Sequence, residues 1–373
     1  MLERYLWACW WGIRLAAGCC ERTLVKLGLH LGYWGAGNDA QNVVLAQEAD
    51  RLGYDVVWTS EAYGSDAATV AAFVVAQTSR VDVGTAVFQI PGRTPANTAM
   101  TAATLDTLSN GRFRLGLGVS GPQVSEGWHG VAFDRPLQRT REYVDIVRMA
   151  LARERVEYHG ECFTLPLPDG PGKALTLTIH PVREQLPIYL AAIGPKALAM
   201  VGEIADGWIS VYFSPDHAEH TLGVVRQARL ATGKSMDGFD VVASTSVVIG
   251  DDLQACADQL RAGSALYIGG MGSRDRNFYN QLVQRMGYER EAKQIQDLYL
   301  ARDYAAAQAA VPFSLLDQVS LIGPKERIRD RLMAFSEAGV TNLTFSAVGS
   351  TIEQRIASVR AMAEVLDMSG LGA

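Results

Sequence analysis

The stretch VDVGTAVFQIPGRTPANTAMTAATLDTLSNGRFRLGLGV, residues 81–119, decides the fold. Its first ten residues are rich in valine and are typical of a buried strand. Residues 94–108 then favour a helix, with Pro95 in the first turn and Asn110-Gly111 after the last. The apolar run at residues 112–119 predicts another strand. The stretch is therefore predicted to be a strand–helix–strand unit whose two strands lie parallel in one sheet.

The same alternation continues on both sides of this stretch. We predict strands at residues 25–33, 55–59, 81–90, 112–119, 187–192, 207–212, 239–249 and 341–347, each followed by a helix. Eight is the number of parallel strands that closes a TIM barrel. An open doubly wound sheet is the alternative, but the turn at residues 32–38 lacks the GxGxxG spacing of a dinucleotide site. The sequence therefore predicts an α/β protein with a (β/α)8 TIM barrel.

Two segments interrupt the alternation, and one precedes it. Residues 158–186 are rich in Pro and Gly and predict an excursion with short strands, whereas residues 269–316 predict a helical, charged excursion. We expect one barrel domain over residues 25–373 and an extension outside the fold at residues 1–24. Residues 15–19 faintly resemble a lipoprotein cleavage site, but Arg14 interrupts the apolar stretch before it, so the extension is the favoured interpretation.

Composition and charge exclude several classes of function. The 373 residues have a net charge of −6 and no dense basic run, so we expect no nucleic-acid partner. The apolar stretch near the N-terminus is too short to span a membrane, and we expect no membrane partner. The five cysteines show neither metal-ligand nor disulfide spacing, and His217 and His220 have no third ligand in view. No metal is predicted, and the expected location is the cytoplasm.

The residues that follow the strands matter most, because the active site of such a barrel lies at the carboxyl ends of its strands. These positions are mainly aromatic and contain no recognisable nucleophile–base pair, which suits a large planar cofactor better than a hydrolytic centre. The predicted pocket residues are Tyr33, Trp34, Phe88, Trp128, His129 and Tyr212. A candidate phosphate cradle consists of Ala191, Ala192, Ile193, Gly194, Pro195 and Lys196, where small residues precede a helix N-terminus.

Four motifs, taken in order, resemble a known superfamily. They are SEAYGSD at residues 60–66, LDTLSNGR at 105–112, LGLG at 115–118 and ADGW at 205–208. Together they closely resemble the luciferase-like flavin and deazaflavin oxidoreductases, in particular the coenzyme F420 branch near methylenetetrahydromethanopterin reductase. The resemblance covers roughly residues 25–366. It implies a TIM barrel, F420 as cofactor with FMN as the alternative, and a homodimer or higher homo-oligomer.

The resemblance also implies how the cofactor would be held. A non-prolyl cis peptide bond between Ala86 and Val87 would bulge against the central ring of the deazaflavin. The backbone of Gly118, Val119, Ser120 and Gly121 would line the pyrimidine side of that ring, and residues 191–196 would bind the phosphate of the tail. Lys196 and Arg93 are the candidate cationic contacts for the lactyl-oligoglutamate tail, which FMN lacks. Asp106 and Arg112 are expected to be structural.

Three groups are candidates for the proton that accompanies a hydride. His30 stands where the methanopterin reductase has Glu, and its imidazole would titrate near neutrality. A buried histidine bonded to a backbone carbonyl is the alternative interpretation of His30. Glu61 is the second candidate, because a carboxyl beside aromatic residues can hold a raised pKa. The pair Trp128 and His129 is the third.

The leading hypothesis is hydride transfer between C5 of F420 and a small organic substrate, such as an activated double bond or a carbonyl. An FMN-dependent monooxygenase that uses reduced flavin and dioxygen is the first alternative, and a non-catalytic cofactor-binding protein is the second. A sugar-phosphate dehydrogenase is disfavoured, because that branch of the family has an Asp-His pair where this chain has Glu61 and Ala62.

Overall fold

The structure is a computed structural model that describes residues 23–35 and 39–372. Of the extension predicted at residues 1–24, all but Thr23 and Leu24 lies outside the described residues, including the run at 15–19. Thr23 is held at its carbonyl oxygen, which accepts a hydrogen bond of 2.7 Å from Ser336 Oγ. No helix within 23–35 or 39–372 is long and apolar enough to cross a membrane.

The described chain contains twelve short strands, most of which form one parallel sheet. They are β1 (Lys26–His30), β2 (Val56–Thr59), β3 (Asp82–Thr85), β4 (Phe88–Gln89), β5 (Phe113–Gly118), β6 (Tyr158–His159), β7 (Thr164–Leu165), β8 (Ile188–Ala191), β9 (Gly207–Val211), β10 (Asp240–Ile249), β11 (Leu321–Gly323) and β12 (Asn342–Ala347). Strands β6 and β7 pair antiparallel, apart from the main sheet.

The main sheet closes on itself. Around the barrel the order is β10, β12, β1, β2, β3, β5, β8 and β9, and β9 pairs with β10 again. In this closing pair Gly207 lies opposite Asp240 and Val211 lies opposite Ser244. Strand β4 continues the third barrel strand and pairs with β5, while β11 adds to the far end of β10. The predicted TIM barrel is confirmed, and closure excludes the open sheet.

Helices cover the outside of the barrel. They are α1 (Asp39–Leu52), α2 (Ala67–Gln77), α3 (Pro95–Leu108), α4 (Pro122–Gly127), α5 (Pro136–Leu151), α6 (Pro195–Ile204), α7 (Ala218–Ala231), α8 (Leu253–Ala265), α9 (Phe278–Arg285), α10 (Glu289–Leu300), α11 (Tyr304–Ala309), α12 (Phe313–Val319), α13 (Lys325–Glu337) and α14 (Ile352–Ser369). Sequence chemistry explains their starts, since the Asp66 carboxylate accepts from the Thr69 N–H at the first turn of α2. Thr94 caps α3 in the same way, and Pro95 occupies the first helical position.

Apolar side chains form three cores, one inside the barrel and two outside it. Inside the barrel a compact core contains Val56, Trp58, Tyr189, Ile209 and Val242. A larger core lies between the strands and the surrounding helices. A third lies beneath helices α8 to α12, where the side chains of Ile268, Ile295 and Leu315 are buried. The third core gives the helical segment its own packed interior, so α9 to α12 can present residues above the barrel.

The strands are shorter than predicted at their carboxyl ends. Strand β1 ends at His30 instead of Tyr33, and the predicted strand 81–90 breaks after Thr85. The break coincides with the cis peptide bond between Ala86 and Val87 that the resemblance implied, and this prediction is confirmed. The apolar periodicity of the sequence could not show where these strands end. The residues that follow each strand turn over the mouth of the barrel and are also apolar. Helix α4 and strand β11 were not predicted.

Candidate functional site

Small side chains lie together at the carboxyl ends of the third, fourth and fifth barrel strands. Ala86, Val87 and Ala191 pack against the barrel core that contains Trp58 and Tyr189. Beside them Gly118 ends β5, and a Cβ at this position would lie 2.6 Å from Val87 Cγ2. Only glycine fits there unless Val87 moves. We call Ala86, Val87, Gly118 and Ala191 the floor of the site.

His30 stands at one edge of the floor and is held by backbone groups. Its ring hydrogen-bonds to the carbonyl of Ala86, and Nδ1 lies 3.3 Å from the Gly32 N–H that donates to it. The Ser60 hydroxyl lies 3.3 Å from both ring nitrogens. Burial lowers the pKa of His30 to about 4, against a smaller upward effect of the Ala86 hydrogen bond. The expectation that His30 titrates near neutrality is therefore wrong, and the alternative of a carbonyl-bonded histidine describes this half-buried ring.

Glu61, the second proton candidate, is occupied by an ion pair. Its Oε2 lies 2.7 Å from Arg93 Nη2 and accepts from the Ala67 N–H at 3.2 Å. Its Oε1 accepts from the Gln89 N–H at 3.1 Å. Both oxygens are engaged, which favours a positioning role for Glu61 over that of a proton donor.

Arg93 is not available for a cofactor tail. Besides Glu61 it pairs with Asp66, and its guanidinium lies 4.5 Å from the centre of the Phe88 ring. Phe88 itself is fully buried and packs against Phe113 with ring centroids 6.5 Å apart. The predicted roles of Arg93 as a tail contact and of Phe88 as a pocket wall are both corrected, because each side chain is turned into the protein.

Gln89, which the motif analysis did not select, connects the groups at this rim. Its Nε2 donates to Ser120 Oγ at 3.2 Å and to the Glu61 carbonyl at 3.4 Å. Its Oε1 lies 2.7 Å from His129 Nε2. An amide oxygen only accepts, so Nε2 of His129 is the donor in this hydrogen bond. Gln89 is the last residue of β4, and its place at the end of a strand was the only sign in the sequence that it could belong to the site.

The remaining predicted pocket residues occupy the rim at different depths. Trp128 is 67% exposed, Tyr33 is exposed, and His129 is half-buried against Gly92. Trp34 packs edge-on against Phe73 with centroids 5.8 Å apart. Val119, Ser120 and Gly121 leave the end of β5, and Ser120 adopts a left-handed φ of 61°. The cofactor and substrate roles of these residues stay predictions.

Two tyrosines from the helical segment join Tyr212 above the mouth. Tyr267 lies 6.5 Å and Tyr279 lies 6.4 Å from Tyr212 between ring centroids, and 4.8 Å from each other. Burial raises the pKa of Tyr212 and of Tyr279. These phenols therefore stay protonated at neutral pH and can donate hydrogen bonds. Sequence reasoning missed Tyr267 and Tyr279, since no local pattern shows where an excursion folds back.

The candidate phosphate cradle lies at the start of α6. Gly194 precedes the helix in an extended conformation, no side chain caps it, and Pro195 begins it. The first turn thus presents backbone N–H groups and the positive end of the helix dipole. Lys196 is exposed beside it. This geometry fits an anionic group, and within the described residues no cluster of His, Cys, Asp or Glu could hold a metal ion.

The fold is that of a TIM-barrel enzyme, and the floor lies at the carboxyl ends of its strands, where the active sites of such barrels are found. The chain belongs to the luciferase-like monooxygenase family, whose model matches residues 30–342. It is 42% identical over 334 residues to a Mycobacterium tuberculosis protein provisionally named a coenzyme F420-dependent oxidoreductase, covering 87% of this chain and 95% of the relative.

Solved structures share the fold at low identity. The coenzyme F420-dependent tetrahydromethanopterin reductase of Methanopyrus kandleri superposes with a TM-score of 0.76 and 23% identity, covering 91% of this chain and 98% of that one. The FMN-bound oxygenating component of 3,6-diketocamphane monooxygenase from Pseudomonas putida gives 0.66 and 18%, covering 92% and 98%. The same barrel thus occurs in proteins named for F420 and in one that binds FMN.

Proposed function

We propose that this chain is an F420-dependent oxidoreductase that transfers a hydride between C5 of the deazaflavin and a small organic substrate, such as a carbonyl or an activated double bond. The observation that carries the proposal is the floor, where the cis peptide bond between Ala86 and Val87 meets Gly118 and Ala191 at the carboxyl ends of three strands. The 42% identity to the M. tuberculosis relative favours F420 over FMN.

The residues present fit a tricyclic ring system whose side chain carries a phosphate group. Ala86, Val87 and Gly118 would support the ring, with Gly118 keeping its surface free of a side chain. The start of α6 would hold the phosphate through backbone N–H groups. When bound, the reduced deazaflavin supplies the hydride. The protein's task is then to position the acceptor, exclude water and provide the proton.

His129 is the proton-carrying residue that the geometry favours. His30 is neutral at pH 7 and Glu61 is held by Arg93, so neither is a suitable donor. The Gln89 amide fixes His129 through Nε2, which leaves Nδ1 to hold or release a proton toward a substrate at the mouth. Tyr33, Tyr267 and Tyr279 would form the aromatic roof over that substrate.

A binding experiment tests the assignment directly. The purified protein is titrated with F420 and, separately, with FMN, following intrinsic tryptophan fluorescence. Binding of F420 at micromolar or lower concentration with much weaker binding of FMN supports the proposal. A preference for FMN overturns it in favour of an oxygen-dependent monooxygenase. Tight F420 binding without turnover of any carbonyl or enone acceptor would instead indicate a non-catalytic binding protein.

A further inference from the structure

The helical segment above the barrel contains one turn of π-helix, Leu266–Gly270, directly after α8. We call these five residues the π turn. Single turns of this kind are rare and are frequent at functional sites. Tyr267 is the second residue of the π turn, and its ring centroid lies 4.8 Å from that of Tyr279 and 6.5 Å from that of Tyr212. The π turn therefore brings a tyrosine from the end of α8 to the mouth of the barrel.

Two buried asparagines hold the π turn by its carbonyl groups. Nδ2 of Asn277 donates to the carbonyl of Tyr267 at 3.1 Å and to that of Ile268 at 2.9 Å. Nδ2 of Asn280 donates to the same Ile268 carbonyl at 3.0 Å and to the Ala292 carbonyl at 2.8 Å. A buried carbonyl without a hydrogen bond is destabilising, so these amides stabilise the departure from α-helical geometry.

Asn277 also joins the π turn to helix α9. Its Oδ1 accepts the Asn280 N–H at 3.0 Å and thereby caps the first turn of α9. That first turn contains Tyr279. One side chain therefore determines the position of both Tyr267, on the π turn, and Tyr279, on α9.

Two glycines allow the π turn to pack closely against α10. A Cβ at Gly269 would lie 2.5 Å from Tyr299 Cβ, and a Cβ at Gly270 would lie 2.4 Å from Tyr299 Cε1. Neither position accepts a side chain unless Tyr299 moves. Hydrogen bonds from the asparagines and close packing on α10 together fix the π turn, and with it the ring of Tyr267.

The phenol group of Tyr267 is a donor that the protein does not use. Among the described residues its oxygen has no hydrogen-bond partner, and the side chain is half-buried. Burial raises the pKa of Tyr267, and the phenol of Tyr63, which follows the second barrel strand, adds to this effect. Tyr267 therefore stays protonated at pH 7 and can donate to a ligand at the mouth.

We propose that Tyr267 binds the substrate by donating a hydrogen bond to the carbonyl oxygen of an uncharged, conjugated acceptor, and that Asn277 is the residue that positions it. The proposal rests on the proposed function, because it assigns the substrate side of the same site. Tyr212 and Tyr279 meet Tyr267 edge to face, and such aromatic surroundings favour a flat, apolar ligand body. A neutral donor suits a carbonyl better than a carboxylate or phosphate, which strong sites bind with cations. The substrate class is therefore an aryl or conjugated aldehyde or ketone.

Benzaldehyde is the probe, and styrene, which has nearly the same shape without the oxygen acceptor, is the control ligand. Dissociation constants are measured by ligand-observed NMR with oxidised F420 present, so that no hydride is available, and again without cofactor. The test variant is Tyr267→Phe. The control variant is Tyr288→Phe, because Tyr288 lies in the same helical segment and its phenol faces Gln318 Oε1 at 3.4 Å.

We expect Tyr267→Phe to bind benzaldehyde about fivefold more weakly, which corresponds to the loss of one hydrogen bond, and to bind styrene as the wild type does. Tyr288→Phe should bind both ligands normally. Infrared spectra provide a second readout, since a hydrogen bond to the oxygen lowers the carbonyl stretching frequency. The frequency of bound benzaldehyde should be lower in the wild type than in Tyr267→Phe.

Asn277→Asp tests the positioning role. The carboxylate still accepts at the first turn of α9 but cannot donate to the carbonyls of the π turn. We expect this variant to weaken benzaldehyde binding about fivefold and to have no further effect when combined with Tyr267→Phe. A general loss of structure would weaken styrene binding as well and would add to the effect of Tyr267→Phe.

The proposal is overturned if the wild type binds benzaldehyde no more tightly than styrene. It is also overturned if Tyr267→Phe leaves both the dissociation constant and the carbonyl frequency unchanged, and this variant decides the matter even if Asn277→Asp unfolds. Additive losses in the double variant would overturn the role of Asn277. Failure of F420 to bind would refute the proposed function, whereas the titrations without cofactor would still decide whether Tyr267 binds a carbonyl group.

Discussion

Glu61→Gln tests whether the carboxylate at the end of the second barrel strand positions the rim or carries a proton. The side chains of Glu61 and Arg93 are 10% and 13% exposed, so their ion pair is largely shielded from solvent. Losing one partner of a buried ion pair costs about 3–5 kcal/mol. We expect the lower end, about 3 kcal/mol, because Arg93 keeps Asp66 and the amide oxygen still accepts one hydrogen bond. In the variant, however, the amide nitrogen would face a backbone N–H that donates to Glu61 in the wild type, so that hydrogen bond would be lost.

Urea unfolding at pH 7 measures this change. With a slope m of about 3 kcal/mol per M, the unfolding midpoint should fall by about 1 M. The control is Glu364→Gln, since Glu364 belongs to an exposed pair with Lys325 and should change the free energy of unfolding by no more than about 0.5 kcal/mol. The reasoning is refuted if Glu61→Gln unfolds at the wild-type urea concentration while turnover of an identified acceptor is lost. That result would make Glu61 the proton donor.

Three further predictions concern the floor, the buried histidine and the rim. Gly118→Ala should weaken deazaflavin binding by at least about tenfold, because the new methyl group displaces Val87, while Gly263→Ala, with nothing within 4 Å of its Cβ position, should bind normally in the same titration. His30 binds a proton less readily when folded, with a pKa of about 4 against 6.5, so stability should fall as the pH is lowered from about 6.5 toward 4, by up to about 3 kcal/mol. Urea midpoints across that range should show this slope, and His30→Asn should flatten it; an unchanged slope would contradict the burial argument. His129→Asn should lower kcat about 100-fold without changing the Kd of F420, and normal turnover would exclude His129 as the proton carrier.

Much of the barrel could be predicted from sequence because its strands are buried on both faces. Such strands appear as short apolar runs between helices, and eight of them allow one common closed arrangement. Gly118 belongs to the LGLG motif, whereas the cis peptide bond between Ala86 and Val87 was predicted only from the family resemblance. The homo-oligomer and the cytoplasmic location remain predictions.

The polar chemistry of the rim was harder to predict, because a residue type does not reveal its partner. Glu61 and Arg93 are 32 positions apart, and only the fold shows that they neutralise each other. The sequence around His30 gives no sign of an unusual pKa, because that pKa is set by burial in the folded protein. Asp106 is structural, as predicted: its buried carboxylate accepts from the Val182 N–H and pairs with Arg183, which also donates to the Phe113 carbonyl of β5. Arg112 does reach back toward the third strand, donating to the carbonyl of Val81.

A cluster of charges around the buried Arg114 lies at the opposite end of the barrel from the proposed site. Arg114 pairs with Asp55 and Asp82 at 2.8 Å and with Asp240 at 3.2 Å, all near the amino ends of their strands. Burial raises the pKa of Asp82 against the opposing effect of Arg114, which would suggest a functional site if titration were considered alone. In a TIM barrel, however, charges at this end serve stability, because the loops that bind substrate are at the other. The position of a perturbed carboxylate along its strand therefore decides its role here more reliably than the size of the perturbation.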